Sequence, residues 1–209
     1  MAFAPGCQAD IEICLQQDSS LCGLSVDLVR AFNFIPRQHS FALPEHLGVP
    51  TVVLKPWKSF LSGCTRAFRI HDALSIATTS TWDMPEGDAL SVFAVVQLNF
   101  LWHIYQKQFC PSVRACSFVD NLSLIASEPA DLASGYMCLS SVFELWNLEI
   151  DLNKSYCWAL TSTARQSMQR FPMKLVYSAS ELGGSLSFAK RTNHGLQVQR
   201  SNRLMARWL

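Results

Sequence analysis

Residues 114–126 read R-A-C-S-F-V-D-N-L-S-L-I-A, two apolar runs broken once, at Asp120-Asn121. Two short strands meeting at such a pair predict a tight hairpin with an acid at its tip. Upstream, residues 21–27 (LCGLSVD) alternate. Cys22, Leu24 and Val26 fall on one side, and Gly23, Ser25 and Asp27 on the other. That pattern predicts a half-buried strand ending on a second carboxylate. Between the two lies a Pro-Glu-Gly turn (85–87), which opens an apolar helix over 88–108. Pro129 opens another helix to about 147, and a strand over 148–159 follows.

The remaining segments are side elements: the end of a short helix at 9–17, helices at 37–47 and 50–62, strands at 65–70 and 75–81, and a helix at 195–208. Stripped of these, the order is strand, helix, strand, strand, helix, strand. The fold class expected is α+β: a split β-α-β-β-α-β antiparallel sheet, ferredoxin-like, with helices packed on one face. Unrelated proteins share this arrangement, so function has to come from the site.

Composition narrows the class without naming the chemistry. The 209 residues are 49% hydrophobic and 16% charged, with a net charge of +1. These values fit a folded domain rather than a disordered chain. No Asp or Glu follows Glu181, whereas Lys190, Arg191, Arg200, Arg203 and Arg207 do. A basic tail of this kind fits either phosphate contact or a solvated helix face. The eight cysteines form no C-x-x-C pair, which points to an intracellular, reducing compartment without a structural metal. The stretch from Ala89 to Tyr105 is interrupted by Ser91, Gln97, Asn99 and His103, so it reads as a buried helix and not a membrane span. The H-E-x-x-H, G-x-S-x-G and Walker A patterns are all absent from the sequence.

Asp27 and Asp120 are the candidate reactive pair. In a split β-α-β-β-α-β sheet the first strand lies beside the hairpin, so the two acids meet at one end. Close carboxylates repel, and a divalent cation relieves the repulsion. Taken singly, either Asp is more simply a cap or turn residue.

The surrounding residues give the pair a context. Asp27-Leu-Val-Arg30-Ala31-Phe32-Asn33 resembles the first palm motif of reverse transcriptases, and Met84-Pro85-Glu86-Gly87 leading to Ser91 resembles the second. Phe118-Val119-Asp120-Asn121 resembles the third, Trp146 to Lys154 (WNLEIDLNK) the fourth, and Leu182-Gly183-Gly184 the fifth. The five stand in the family's order over about residues 10–190, and Asn33 with Ile35-Pro36-Arg37 is closest to the non-LTR (LINE-type) retrotransposon group.

The resemblance implies a polymerase palm over 21–190, a remnant of the fingers–palm connection over 1–20, and the start of a thumb over 191–209. The fingers and thumb are otherwise largely missing. It implies an RNA-directed DNA polymerase that adds dNTPs to a DNA primer on an RNA template, within a larger polyprotein and without a membrane. Asp27 and Asp120, with Asn121, would hold Mg²⁺ or Mn²⁺. Arg30, Ala31, Phe32, Pro85 and Gly87 would meet the nucleotide, with Phe32 excluding a 2′-hydroxyl. Lys154 would protonate pyrophosphate. Ser91, Leu182, Gly183, Gly184, Arg200, Arg203 and Arg207 would contact primer and template.

This sequence departs from the family's pattern in three ways. Asn121 replaces the second carboxylate of the third motif, which implies a weaker metal site. Asp83 stands where Gly is usual, and Glu86 where Gln is usual; with Asp88 these acids would repel phosphates along a nucleic-acid path, unless Asp83 or Glu86 hydrogen-bonds within the turn. The segments expected to clamp the triphosphate are missing. Two further readings therefore stay open: a catalytically degenerate palm with at most weak nucleic-acid binding, and an unrelated ferredoxin-like interaction domain.

Overall fold

A computed structural model describes residues 3–80, 82–85, 88–181 and 184–188. The elements in chain order are α1 (Phe3–Gln16), β1 (Cys22–Val26), α2 (Ala31–Phe34), α3 (Arg37–His46), α4 (Thr51–Gly63), β2 (Thr65–Arg66), β3 (Arg69–Ile70), β4 (Ala73–Leu74) and β5 (Thr78–Thr79). They continue with α5 (Ala89–Phe109), β6 (Arg114–Phe118), β7 (Asn121–Ala126), α6 (Pro129–Leu145), β8 (Tyr156–Ala159), α7 (Ser162–Met168), β9 (Lys174–Leu175), β10 (Ser178–Glu181) and β11 (Gly184–Ser187). The helix expected at 195–208 lies outside the described residues.

The main sheet has the order β6-β7-β1-β8-β9. From β6 to β8 every pairing is antiparallel, the split β-α-β-β-α-β order. β9 adds a fifth strand parallel to β8, so the sheet is mixed rather than wholly antiparallel. The β1–β7 register runs from Cys22↔Ala126 to Val26↔Leu122. It puts Cys22, Leu24, Val26, Leu122, Leu124 and Ala126 on one face, because side chains alternate with period two.

That face carries the main core. α5 presents Val95, Leu98 and Trp102, and α6 presents Leu132, Leu139 and Phe143, at helical spacing. Burying each of these large side chains contributes about 1.5–3 kcal/mol before entropy is counted. α4 adds Leu54, Trp57 and Leu61, three buried residues on one stripe.

The opposite face is covered as well, which corrects the expectation of helices on one side only. Ile11 of α1, Ile125, Trp158, Leu186 and Phe188 form a second cluster there. Trp158 and Phe188 stack with ring centroids 4.5 Å apart and planes 6° from parallel. In the sequence, Gly23, Ser25 and Asp27 had marked that side of β1 as polar. Gly23 is instead the gap into which the Trp158 ring sits.

The strand expected over 148–159 is cut to Tyr156–Ala159. The Asp151 carboxylate accepts from the backbone N–H groups of Asn153 and Lys154, and this turn bends the chain out of the ladder. One bridge, Leu28↔Ile150, keeps the bent segment beside the end of β1.

A Cβ at position 23 would stand 2.5 Å from Trp158 Cζ2 and 2.9 Å from the Leu124 carbonyl oxygen. Gly23→Ala is therefore expected to destabilise the fold by about 1–3 kcal/mol, as overpacking does. Chemical denaturation measures it; an unchanged midpoint contradicts the packing described.

Candidate active site at the end of β1

Val26↔Leu122 is the last β1–β7 pair, and one further step in register sets Asp27 across from Asn121, next to Asp120. On its other side, the Ser25↔Tyr156 pairing with β8 leads toward Lys154. The Asp27 backbone is held from that side too. Its N–H donates to Ser155 Oγ at 3.1 Å, and its carbonyl accepts from the Asp151 N–H at 2.9 Å. Asp27 is half-buried. Desolvation raises its pKa, the charges of Asp120 and Asp151 raise it further, and Lys154 and the Leu28 N–H oppose the rise. Asp27, Asp120, Asp151 and Lys154 thus share one electrostatic neighbourhood.

The hairpin places its acid by a turn one residue earlier than expected. Phe118 pairs with Asn121, so Val119 and Asp120 form the tip and Asn121 begins β7. Val119 has φ +55, while Asp120 keeps a negative φ. A β-branched residue in the left-handed region is an outlier that the surroundings must enforce. The Asn99 side-chain amide of α5 does so, donating to the Val119 carbonyl at 2.7 Å. Asn121 is exposed.

The segment resembling the second motif is tied to the one resembling the first by backbone. The Met84 N–H donates to the Phe32 carbonyl at 2.7 Å, and Pro36 bridges Trp82. Asp83 adopts φ +80, a conformation natural to the Gly usual there. It is not an acid facing outward. Arg37, itself 6% exposed, donates Nη2–H to Asp83 Oδ1 at 2.9 Å and Nε–H to the Asp83 carbonyl at 2.7 Å. Arg66 pairs with Asp83 Oδ2. The charge that the sequence set beside a phosphate path is thereby matched internally.

The other candidate residues are placed unevenly. Phe32 is half-buried against the main core, and Pro85 is half-buried. Ala31 is buried, so its side chain packs. Arg30 is exposed, in a left-handed conformation at the start of α2. Ser91 is fully buried, and its hydroxyl donates to Asp88 Oδ2 at 3.2 Å, a helix-start contact. Lys154 Nζ lies 3.6 Å from Asp151 Oδ2, with most of the side chain in solvent. Gly184 begins β11 opposite Glu181. Gly87, Leu182, Gly183, Arg200, Arg203 and Arg207 lie outside the described residues.

Four residues at the site had not been singled out for it: Asp151, Ser155, Asn99 and Arg37. Asn99 carried a signal, a polar residue in an apolar helix. Asp151, two positions before Asn153, carried the pattern of an Asx turn. Ser155 carried none.

The donor set suits a hard cation: two carboxylates and an amide at one sheet end, where Mg²⁺ takes one or two carboxylates and fills its remaining positions from water and phosphate. Among the described residues, no group of three or more His, Cys, Asp or Glu side chains is arranged to hold a metal. Thiolate formation is disfavoured at Cys22 and Cys157. Burial, with the Glu128 and Asp131 charges, pushes Cys22 up to about 12, and burial pushes Cys157 up to about 11.

Comparison with solved structures finds others of this shape. Over 90% of this chain, the fold is similar to that of apo telomerase from Candida tropicalis truncated from its C-terminal domain, with a TM-score of 0.61 at 9% sequence identity. The chain covers 39% of that structure's length. At that identity the likeness is one of fold. No family model matches the chain, and no curated protein matches it in sequence. Among the described residues, no helix is long and apolar enough to cross a membrane.

Two outcomes are expected. Asp83→Ala leaves a buried guanidinium without its counter-ion, which typically costs about 3–5 kcal/mol; urea denaturation at wild-type stability contradicts the ion pair. Asp27, with its pKa raised in the folded state, binds its proton more tightly there than in the unfolded chain. Its ionisation therefore lowers stability as pH rises from the ordinary Asp range through the raised value. Asp27→Asn is expected to be more stable than wild type at pH 7, with the advantage shrinking as pH falls into the acid range. Thermal melts across pH measure this, and a variant less stable than wild type at pH 7 is the contrary result.

Proposed function

We propose that this chain is the palm of an RNA-directed DNA polymerase, adding deoxynucleotides to a primer 3′-end on an RNA template. The observation that carries the reading is the meeting of Asp27 and Asp120 at one end of the sheet, where the Asp120 charge adds to the desolvation that disfavours ionisation of Asp27. Polymerase-like fold and family-like motif order support it from independent directions.

In this reading Asp27 and Asp120 bind Mg²⁺ or Mn²⁺, with Asn121 as a weak neutral donor. Cations held there would supply charge neutralisation for attack by the 3′-hydroxyl and departure of pyrophosphate. The chain's own residues do the positioning. Phe32 presents its half-buried ring to the sugar and leaves no room for a 2′-hydroxyl. Pro85 and Gly87 shape the floor under the nascent base pair, and Arg30 meets phosphate. Lys154, held near Asp151, supplies a proton to the leaving group. Gly184 with Leu182 and Gly183 grips the primer end, and Arg200, Arg203 and Arg207 follow the nucleic-acid backbone. Asn33 and Ile35-Pro36-Arg37 favour the LINE-type group.

A second reading has its own observation. The exposed, uncharged Asn121 leaves the site one carboxylate short of the family's pattern. That favours a palm that binds nucleic acid weakly and does not extend primers.

Primer extension on an RNA template with Mg²⁺ or Mn²⁺ separates the two. The polymerase reading expects incorporation that Asp27→Ala abolishes and a rise in ribonucleotide use with Phe32→Ala. Folded protein that binds template in a salt-dependent manner, yet incorporates nothing with either metal, establishes the second reading instead.

A further inference from the structure

We infer that Asn99 is a positioning residue for the proposed metal site, its side-chain amide fixing the turn that carries Asp120. The inference rests on the metal reading of Asp27 and Asp120 given above and adds the residue that acts through them.

Asn99 lies in the middle of α5, 4% exposed, between core residues Leu98 and Trp102. Its partner is the Val119 carbonyl, 20 positions on, which can only accept, so the bond identifies the amide nitrogen as donor. The turn has two residues, and its first is the strained one. A left-handed, β-branched residue is strained and persists only where neighbouring groups fix it. With so short a turn, any release of Val119 moves Asp120 with it.

Asn99 Oδ1 is buried without a partner, a state that disfavours Asn against an apolar residue of similar size. Packing alone would select Leu at this position. The stretch already has two buried amides that hold nothing: Gln97 and Gln106 have no hydrogen-bond partner at either end. Of these three buried amides on α5, Asn99 alone reaches the hairpin tip. One turn further along, His103 Nε2 and Ser117 Oγ stand 3.0 Å apart and dock the same helix on β6. α5 thus grips the hairpin at two points, and the one nearer the tip sets Asp120.

The test is Mn²⁺ affinity, read by water-proton relaxation on the whole chain, for wild type, Asn99→Leu, Gln97→Leu and Asp27→Asn. Asn99→Leu is expected to bind Mn²⁺ about 10-fold more weakly or worse, the usual effect of losing a group that orients a ligand. Gln97→Leu, an equally buried amide lost from the same helix, is expected to match wild type. Asn99→Ser, whose hydroxyl is too short to reach Val119, replaces Asn99→Leu should the latter not fold. A folded Asn99 variant with wild-type affinity overturns the assignment, as does an equal loss in Gln97→Leu, which would make the effect one of general packing. Wild-type affinity that Asp27→Asn leaves unchanged is a different result: it overturns the metal reading itself, and the role given to Asn99 falls with it.

Discussion

The register between β1 and β7 is the constraint on which the site depends. Five consecutive pairs, from Cys22↔Ala126 to Val26↔Leu122, fix which residues of both strands enter the main core. A slip of one residue would turn Leu24 and Leu124 out of that core and expose them. The apolar faces therefore enforce the alignment, and the alignment decides what lies just beyond the last pair. There the strands end on Asp27 and on the Asp120 turn. Hydrophobic burial, which is indifferent to catalysis, delivers two acids to one place.

Around that place two left-handed residues are each held by a buried polar group from another element. Val119 is left-handed and is held by Asn99 of α5. Asp83 is left-handed and is held by Arg37 of α3. In the second case the sequence substitutes an acid for the residue that would adopt the conformation freely. The added carboxylate finds two cations, so a strained backbone becomes the anchor for Arg37, which also donates to the Leu61 carbonyl at 2.7 Å. The turn leading to Met84 is thereby tied to the end of α4, and Met84 is tied to Phe32.

Much of this was legible in the sequence because it depends on local signals. The alternation over 21–27, the break at Asp120-Asn121 and the prolines at 85 and 129 were enough to place three of the four core strands and both long helices to within a residue or two. What stayed hidden depends on distant pairings. Nothing local to Gly23 says that Trp158 will fill its missing side chain, so the second apolar face was read as polar. Nothing local to Asp83 shows Arg37, 46 positions away, and the acid was read as a liability toward phosphate. The strand expected over 148–159 failed for a different reason. Its alternation is real, but the Asp151 turn competes with the ladder and wins over its first half.

The contrast between Asp83 and Asp27 is the sharpest guide to what each acid does. Asp83 has both carboxylate oxygens matched by arginine, and its charge is spent within the fold. Asp27 sits part-buried among two further acids, with a single lysine whose nearer partner is Asp151. Removing charge from water without a matched counter-charge works against folding. In the polymerase reading proposed above, a cation, or a substrate bringing one, would supply that counter-charge. Asn121 fits the same logic. A third carboxylate at the tip of β7 would deepen the repulsion, whereas an amide adds a donor oxygen without adding charge. This chain would then hold its cation less tightly than a three-acid site, and it would fold under less strain while the cation is away.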